Sequence, residues 1–235
     1  YMDAALNRPG FKVADITLVE SPDVPRIGVG EATIPSINHV LAVIGIDEIE
    51  FLKRVDGTFK QAIKYVNWVD GVDDSYYHAF GRIRQEPLDN STRNWLRSDR
   101  SLPFSETISE QPVTCEEGFA PRSLPGEPPQ LKVTYAFHMN ALKFADYLCE
   151  LATSRGVHHH LDNMTDVEMA ENGDIAAINT RGGLRLEADL FIDCTGFASL
   201  LIEKQLGVEW VDCSQWLMSD RAVTIQVPYE THYPG

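Results

Sequence analysis

The 235-residue chain carries 35 acidic against 20 basic residues, a formal net charge of −15, with 43% hydrophobic and 23% charged residues. That balance argues against nucleic acid as the main partner, because a phosphate backbone is met by a basic face. No run of about 18 apolar residues is present, so no membrane span is expected, and the length supports one substantial core.

Four cysteines, Cys115, Cys149, Cys194 and Cys213, stand apart with no C-x-x-C pair. They read as reduced thiols of a cytoplasmic protein rather than as a zinc signature or a disulfide framework. The chain opens without an initiator methionine, and residues 1–8 look like the end of a helix closed at Pro9-Gly10, so it reads as an internal part of something longer.

VADITLVES (13–21) is apolar and β-branched and reads as a buried strand ending in an acid. Apolar residues from Asn38 to Leu52 follow helical spacing, interrupted at Gly45. FKQAIKYVNWV (59–69) reads as a strand from about Ala62 on, and residues 70–130, where most prolines lie, as irregular insertion-like chain. LKVTYAFHM predicts a strand. NALKFADYLCELATSRG predicts a helix capped by Asn140 and ended by Gly156. Four successive β segments follow, with Asn172-Gly173 and Gly182-Gly183 as tight turns.

Three stretches bear on chemistry. A strand ending in Glu20 has two readings: a plain strand closed by a surface carboxylate, or the second strand of a Rossmann-type dinucleotide fold, whose terminal acid hydrogen-bonds a ribose. ADLFIDCTGF (188–197) reads as a late apolar strand whose small terminal residues let backbone approach a cofactor. GVGEATIPSI (28–37) has two glycines one residue apart but no third at the phosphate-loop distance. The triplet His158-His159-His160 would send neighbouring rings to opposite faces of a strand, so no metal site is expected there.

GVGEATIPSI, FKQAIKYVNW, SYYHAFG, YAFHMNALKFADYL and DLFIDCTGF occur in this order. Together they resemble the flavin-dependent halogenases, specifically the tryptophan halogenase family, over about residues 11–230 and least across 85–130. The resemblance implies an α/β fold: an FAD-binding Rossmann-like module of the glutathione-reductase/hydroxylase type with a β-meander, plus part of a substrate-binding module. Residues 1–60 would begin the FAD module, 61–130 form a substrate-side insertion, and 131–235 continue the FAD module and start the substrate module. The family's G-x-G-x-x-G would precede residue 1. Its W-x-W-x-I-P motif and catalytic glutamate would follow residue 235, so the 235 residues alone are expected to be inactive.

By the same resemblance, Lys60 aligns with the catalytic lysine, which relays hypohalous acid made from reduced FAD, oxygen and chloride or bromide to an aromatic carbon. Hypohalous acid is indiscriminate in water, and an amine in a dry pocket makes it local and oriented. His78 and Phe80 match an aromatic pair that stacks on an indole, with Ile34, Pro35 and Ile63 as apolar wall. Glu20 and Ser21 match ribose-side positions, Val29 and Ala32 the segment passing the flavin ring, and Met164 a backbone contact to adenine. Lys64 is expected to be structural. A separate flavin reductase is the implied diffusive partner, a homodimer is allowed, and the product would belong to secondary metabolite biosynthesis. Two other readings stand beside this one: a flavin-dependent aromatic hydroxylase, and a non-catalytic flavoprotein remnant.

Overall fold

The computed structural model describes residues 1–8, 10–26, 30–81, 90–122, 133–221 and 223. In chain order its elements are α1 (Met2–Leu6), β1 (Thr17–Glu20), β2 (Gly30–Ala32), α2 (Ser36–Ile44), α3 (Glu48–Arg54), β3 (Thr58–Lys60), β4 (Ala62–Val66) and β5 (Ser75–Ala79). They continue with α4 (Ser91–Arg97), α5 (Phe104–Ile108), α6 (Gln111–Glu116), β6 (Ala136–Asn140) and α7 (Ala141–Ser154). The last are β7 (His158–Leu161), β8 (Met164–Met169), β9 (Ile175–Thr180) and β10 (Arg185–Glu187). Among the described residues no helix is long and apolar enough to cross a membrane.

The chain forms two compact units, one drawing on Tyr1–Arg8 and Gly28–Tyr147, the other on Pro9–Ile27 and Leu148–Thr224. In the first, β6 runs antiparallel between β2 and β3. Strand alternation sends Phe137 and Met139 to one face, the aromatic core, and His138, itself exposed, to the other. Phe137 and Phe51 are both fully buried and meet edge to face with ring centroids 5.1 Å apart; Phe144 closes on Phe51 at 5.3 Å.

Two short helices complete this core because the sequence punctuates them. Gly45 ends α2 at φ 71°, a conformation that spares glycine the usual Cβ clash, and its N–H turns back to Leu41 and Ala42. Asp47 then caps α3 by accepting from the N–H groups of Ile49 and Glu50. Asn140 does the same for α7, accepting from Leu142 and Lys143.

The structure corrects the sequence reading in three places. The described part of 70–130 is not irregular: it holds β5 and the helices α4, α5 and α6, each of five to seven residues. Elements so short show no period in a sequence window. The strand expected from about Ala62 is preceded by a separate one, β3, with the break at Gln61. And ADLFID is not a strand; Leu190 and Ile192 are 67% and 56% exposed, and among the described residues no strand pairs with this stretch.

In the second unit, β1 and β7 pair in parallel, Thr17 opposite His158 through Glu20 opposite Leu161. A β8–β9–β10 antiparallel meander follows. The D-C-T-G stretch is ordered by Asp193, which accepts from the Thr195 hydroxyl at 2.6 Å and from the N–H groups of Thr195, Leu201 and Ile202. Burial pushes this carboxyl up, but the Thr195 hydroxyl and the three N–H donors outweigh it and bring its pKa down to about 2.

A carboxylate whose folded pKa lies below its unfolded value stabilises above the unfolded value, and the contribution fades as pH falls through the folded one. Asp193→Ala is therefore expected to cost about 1–2 kcal/mol at pH 7, with the difference from wild type vanishing between about pH 4 and pH 2. Urea unfolding across that range measures it.

Candidate active site

In the first unit, the site is built where β3 hands over to β4. Lys60 is opposite the buried Ala136 and so shares a face of the sheet with His138 and Ala32, which face each other across β6 and β2. Its ammonium donates to the carbonyl of Thr33 at 3.2 Å and stands 5.3 Å above the centre of the Phe80 ring. Desolvation holds the Lys60 amine below the usual lysine range. Among the described residues it has no ion-pair partner. Lys64 also lies over a ring, that of Tyr77, but it is exposed and paired with Glu116, whose carboxylate also accepts from the Tyr77 hydroxyl.

Thr33 is fixed before it meets the lysine. Its N–H and its hydroxyl both donate to the Phe137 carbonyl, and its hydroxyl accepts from the Phe137 N–H. On the far side, Phe80 is positioned by its N–H to the Gln61 carbonyl and by Gly81, whose N–H donates to the fully buried Gln111. Gln61, 7% exposed, spends its amide on the Phe119 carbonyl and the Thr114 hydroxyl.

The β4–β5 hairpin pairs Ile63 with His78 and Tyr65 with Tyr76, so these four share a face, and Phe80 follows directly in the bend after β5. The two tyrosines stack with centroids 4.9 Å apart and planes 14° from parallel. Lys60, Phe80, Ile63 and His78 are thus neighbours along a single strip. Pro35 is half-buried at the start of α2, and Ile34 is 60% exposed.

Thr33, Tyr65, Tyr76 and His138 carry this arrangement without having been singled out in the sequence. Tyr65 and Tyr76 were legible in principle, since each stands at even spacing from a residue already chosen. His138 sits on the lysine face, where desolvation and the Lys60 charge both hold its imidazole below the usual range.

In the second unit, Glu20 lies at the carboxyl end of a parallel strand. Arg26 grips its carboxylate with two N–H groups at 2.6 and 3.1 Å, and His159 Nε2 lies 2.9 Å from Oε2. The Arg26 guanidinium, and then His159, keep this carboxyl below its usual range despite opposing burial. Ser21 donates to Asn163, the residue before Met164, so Glu20, Ser21 and Met164 are local to one another. Ser21 also accepts from the N–H groups of Asp23 and Val24. Ala32 lies in the first unit at the end of β2. Val29 falls outside the described residues.

A family model described as tryptophan halogenase matches residues 1–234. The chain belongs to that family. It is 37% identical over 243 residues to tryptophan 7-halogenase RebH of Lentzea aerocolonigenes, an alignment covering 94% of this chain and 45% of the relative. Tryptophan 6-halogenase ThaL of Streptomyces albogriseolus is 32% identical, with 94% and 44% covered. Among solved structures, a tryptophan halogenase from Shewanella frigidimarina superposes with a TM-score of 0.83 at 38% identity, over 92% of this chain and 42% of that one. BrvH, a flavin-dependent halogenase from Brevundimonas sp. BAL3, gives 0.75 at 29%, covering 92% and 44%. The chain therefore has the α/β fold of the flavin-dependent halogenases and spans a little under half the length of the relatives it matches.

Because Lys60 is a base with a folded pKa below its unfolded one, its charge costs stability at neutral pH, and the cost disappears as pH rises past the unfolded value. Lys60→Met is expected to be at least as stable as wild type at pH 7. Its relative advantage should shrink towards pH 10, as read from paired urea melts.

Proposed function

We propose that these residues supply the lysine relay and the flavin-side contacts of an FAD-dependent halogenase acting on tryptophan or a related indole or aromatic. The observation that carries this reading is the seat of Lys60. Its amine is desolvated, held between the Thr33 carbonyl and the Phe80 ring, and lies beside a strip of aromatic and apolar side chains. The family membership and the activities of the tryptophan halogenases that the chain resembles support the same reading.

Each group has a task in it. Desolvation makes the neutral amine of Lys60 more available than that of a surface lysine, so it can hold a halogen as a haloamine, with loss of water from hypohalous acid, or steer the acid by a hydrogen bond. His78 and Phe80 would hold a flat ring by offset stacking, with Ile63, Ile34 and Pro35 as apolar wall.

Bound reduced FAD, with oxygen and chloride or bromide, would supply the hypohalous acid, and a separate flavin reductase would renew the reduced form. The donor set suits that cofactor. Glu20 is an ionised acceptor at the end of a parallel strand, and Arg26 and His159 occupy three of about four acceptor positions on its carboxylate, leaving one for a ribose hydroxyl. Ser21 and the Met164 backbone would stand beside Glu20 on the flavin side.

The test uses the full-length coding product supplied with reduced FAD, oxygen, chloride and tryptophan. Lys60→Ala should abolish chlorotryptophan, read by mass spectrometry, while reduced FAD reoxidises at the wild-type rate. Retained chlorination would remove Lys60 from the relay. His78→Ala should chiefly raise KM for the aromatic substrate or spread the halogen over several ring positions. An unchanged KM with an unchanged product would take His78 out of the substrate site.

A further inference from the structure

A second constellation of reactive groups reaches Glu20 from α7 and β7, and the proposed halogenation gives its Cys149 no task. Cys149 projects from α7 so that its sulfur lies 3.3 Å from His159 Nδ1 on β7. The other ring nitrogen, Nε2, lies 2.9 Å from Glu20 Oε2. The parallel register places Leu18 opposite His159 and Glu20 opposite Leu161, so Glu20 and His159 share one face of the β1–β7 pair. The His159 side chain is only 13% exposed, and that of Glu20 27%.

Thiol, imidazole and carboxylate follow one another in a line. In the neutral tautomer that suits both distances, Nε2–H donates to Glu20 and Nδ1 accepts from the Cys149 thiol. Moving the thiol proton onto Nδ1 leaves a thiolate beside an imidazolium whose other N–H already rests on a carboxylate. The charged groups facing the imidazole are Glu20 and, through Glu20, Arg26, from β1 and the segment after it. Arg26 keeps Glu20 ionised, so the carboxylate is available to hold the imidazolium. Among the described residues no group of three His, Cys, Asp or Glu side chains converges as a metal shell. A line of three suits proton transfer instead.

We propose that Cys149 is a nucleophilic thiol, activated by His159 and positioned through it by Glu20, and that it is a site of covalent modification by small electrophiles and peroxides. With hydrogen peroxide, the sulfur attacks one oxygen and the O–O bond breaks. The thiol proton passes by way of His159 to the departing oxygen, giving a cysteine sulfenic acid and water. Sulfur is oxidised and peroxide reduced. With iodoacetamide, an S–C bond replaces the C–I bond, iodide leaves, and the proton stays on His159 or goes to solvent. Neither step depends on FAD or on the halogenase reading.

The test follows iodoacetamide labelling of each cysteine by peptide mass mapping from pH 5.5 to 9, with the exposed Cys194 as internal reference. In the wild-type protein, Cys149 should label faster than Cys194 at pH 7. In His159→Gln, which removes the base that takes the thiol proton, its rate relative to Cys194 should fall about tenfold at pH 7 and recover in the alkaline range. Glu20→Gln should move the pH profile the same way by less. Hydrogen peroxide followed by dimedone should tag Cys149 in the wild type and not in His159→Gln. A Cys149 profile that does not change in His159→Gln, or a rate that rises there because the ring had only shielded the sulfur, overturns the proposal.

Discussion

The reciprocal hydrogen bonding between Thr33 and Phe137 ties the first unit together. One residue donates and accepts through its hydroxyl and donates again through its backbone, so β6 and the segment after β2 cannot slide past each other. The Phe137 ring is the centre of the aromatic core, packed on Phe51 and, at a tilt, on Phe59. The Thr33 carbonyl points the other way and receives Lys60. Core and candidate site therefore share a single backbone register. A slip of one residue would turn Phe137 to solvent and carry the lysine's acceptor away.

Contrast between two lysines four residues apart shows how environment selects chemistry. Lys64 meets a carboxylate and water, the ordinary circumstances of a surface amine, where an ion pair contributes little. Lys60 is half-buried and meets a carbonyl in place of a carboxylate. A carbonyl orients an amine without fixing its charge, whereas a carboxylate would stabilise the ammonium and keep the nitrogen lone pair occupied. Among the described residues the protein withholds that carboxylate from the one amine placed beside the aromatic strip.

Much of this was legible in the residues. Gly45, Asp47 and Asn140 announce helix ends by local chemistry, and the structure uses them so. Lys60 was separable from Lys64 only because its motif resembled a known family; no periodicity or spacing distinguishes them. The short helices between Ser91 and Glu116 were illegible because five to seven residues make fewer than two turns. Their stability comes from tertiary partners such as the buried Gln111 bonded to Gly81 and Thr134. ADLFID misled in the opposite direction: its apolar, β-rich composition is that of a strand, but a strand needs a neighbour to pair with, and composition says nothing about neighbours. The Cys149–His159–Glu20 line joins residues 139 apart in sequence, across a parallel pairing that only the fold reveals.

Gln61 interrupts what would otherwise be one strand from Thr58 to Val66. Its consequence is a division of labour: the lysine belongs to one sheet, while the aromatic strip belongs to a separate hairpin joined to it by a single anchored residue. Side chains on the hairpin can change size or polarity without disturbing the register that seats the amine. If the hairpin holds the aromatic substrate as proposed, a lineage could thus exchange one such substrate for another while inheriting the same lysine. Such a joint makes diversification of substrates inexpensive in evolutionary terms.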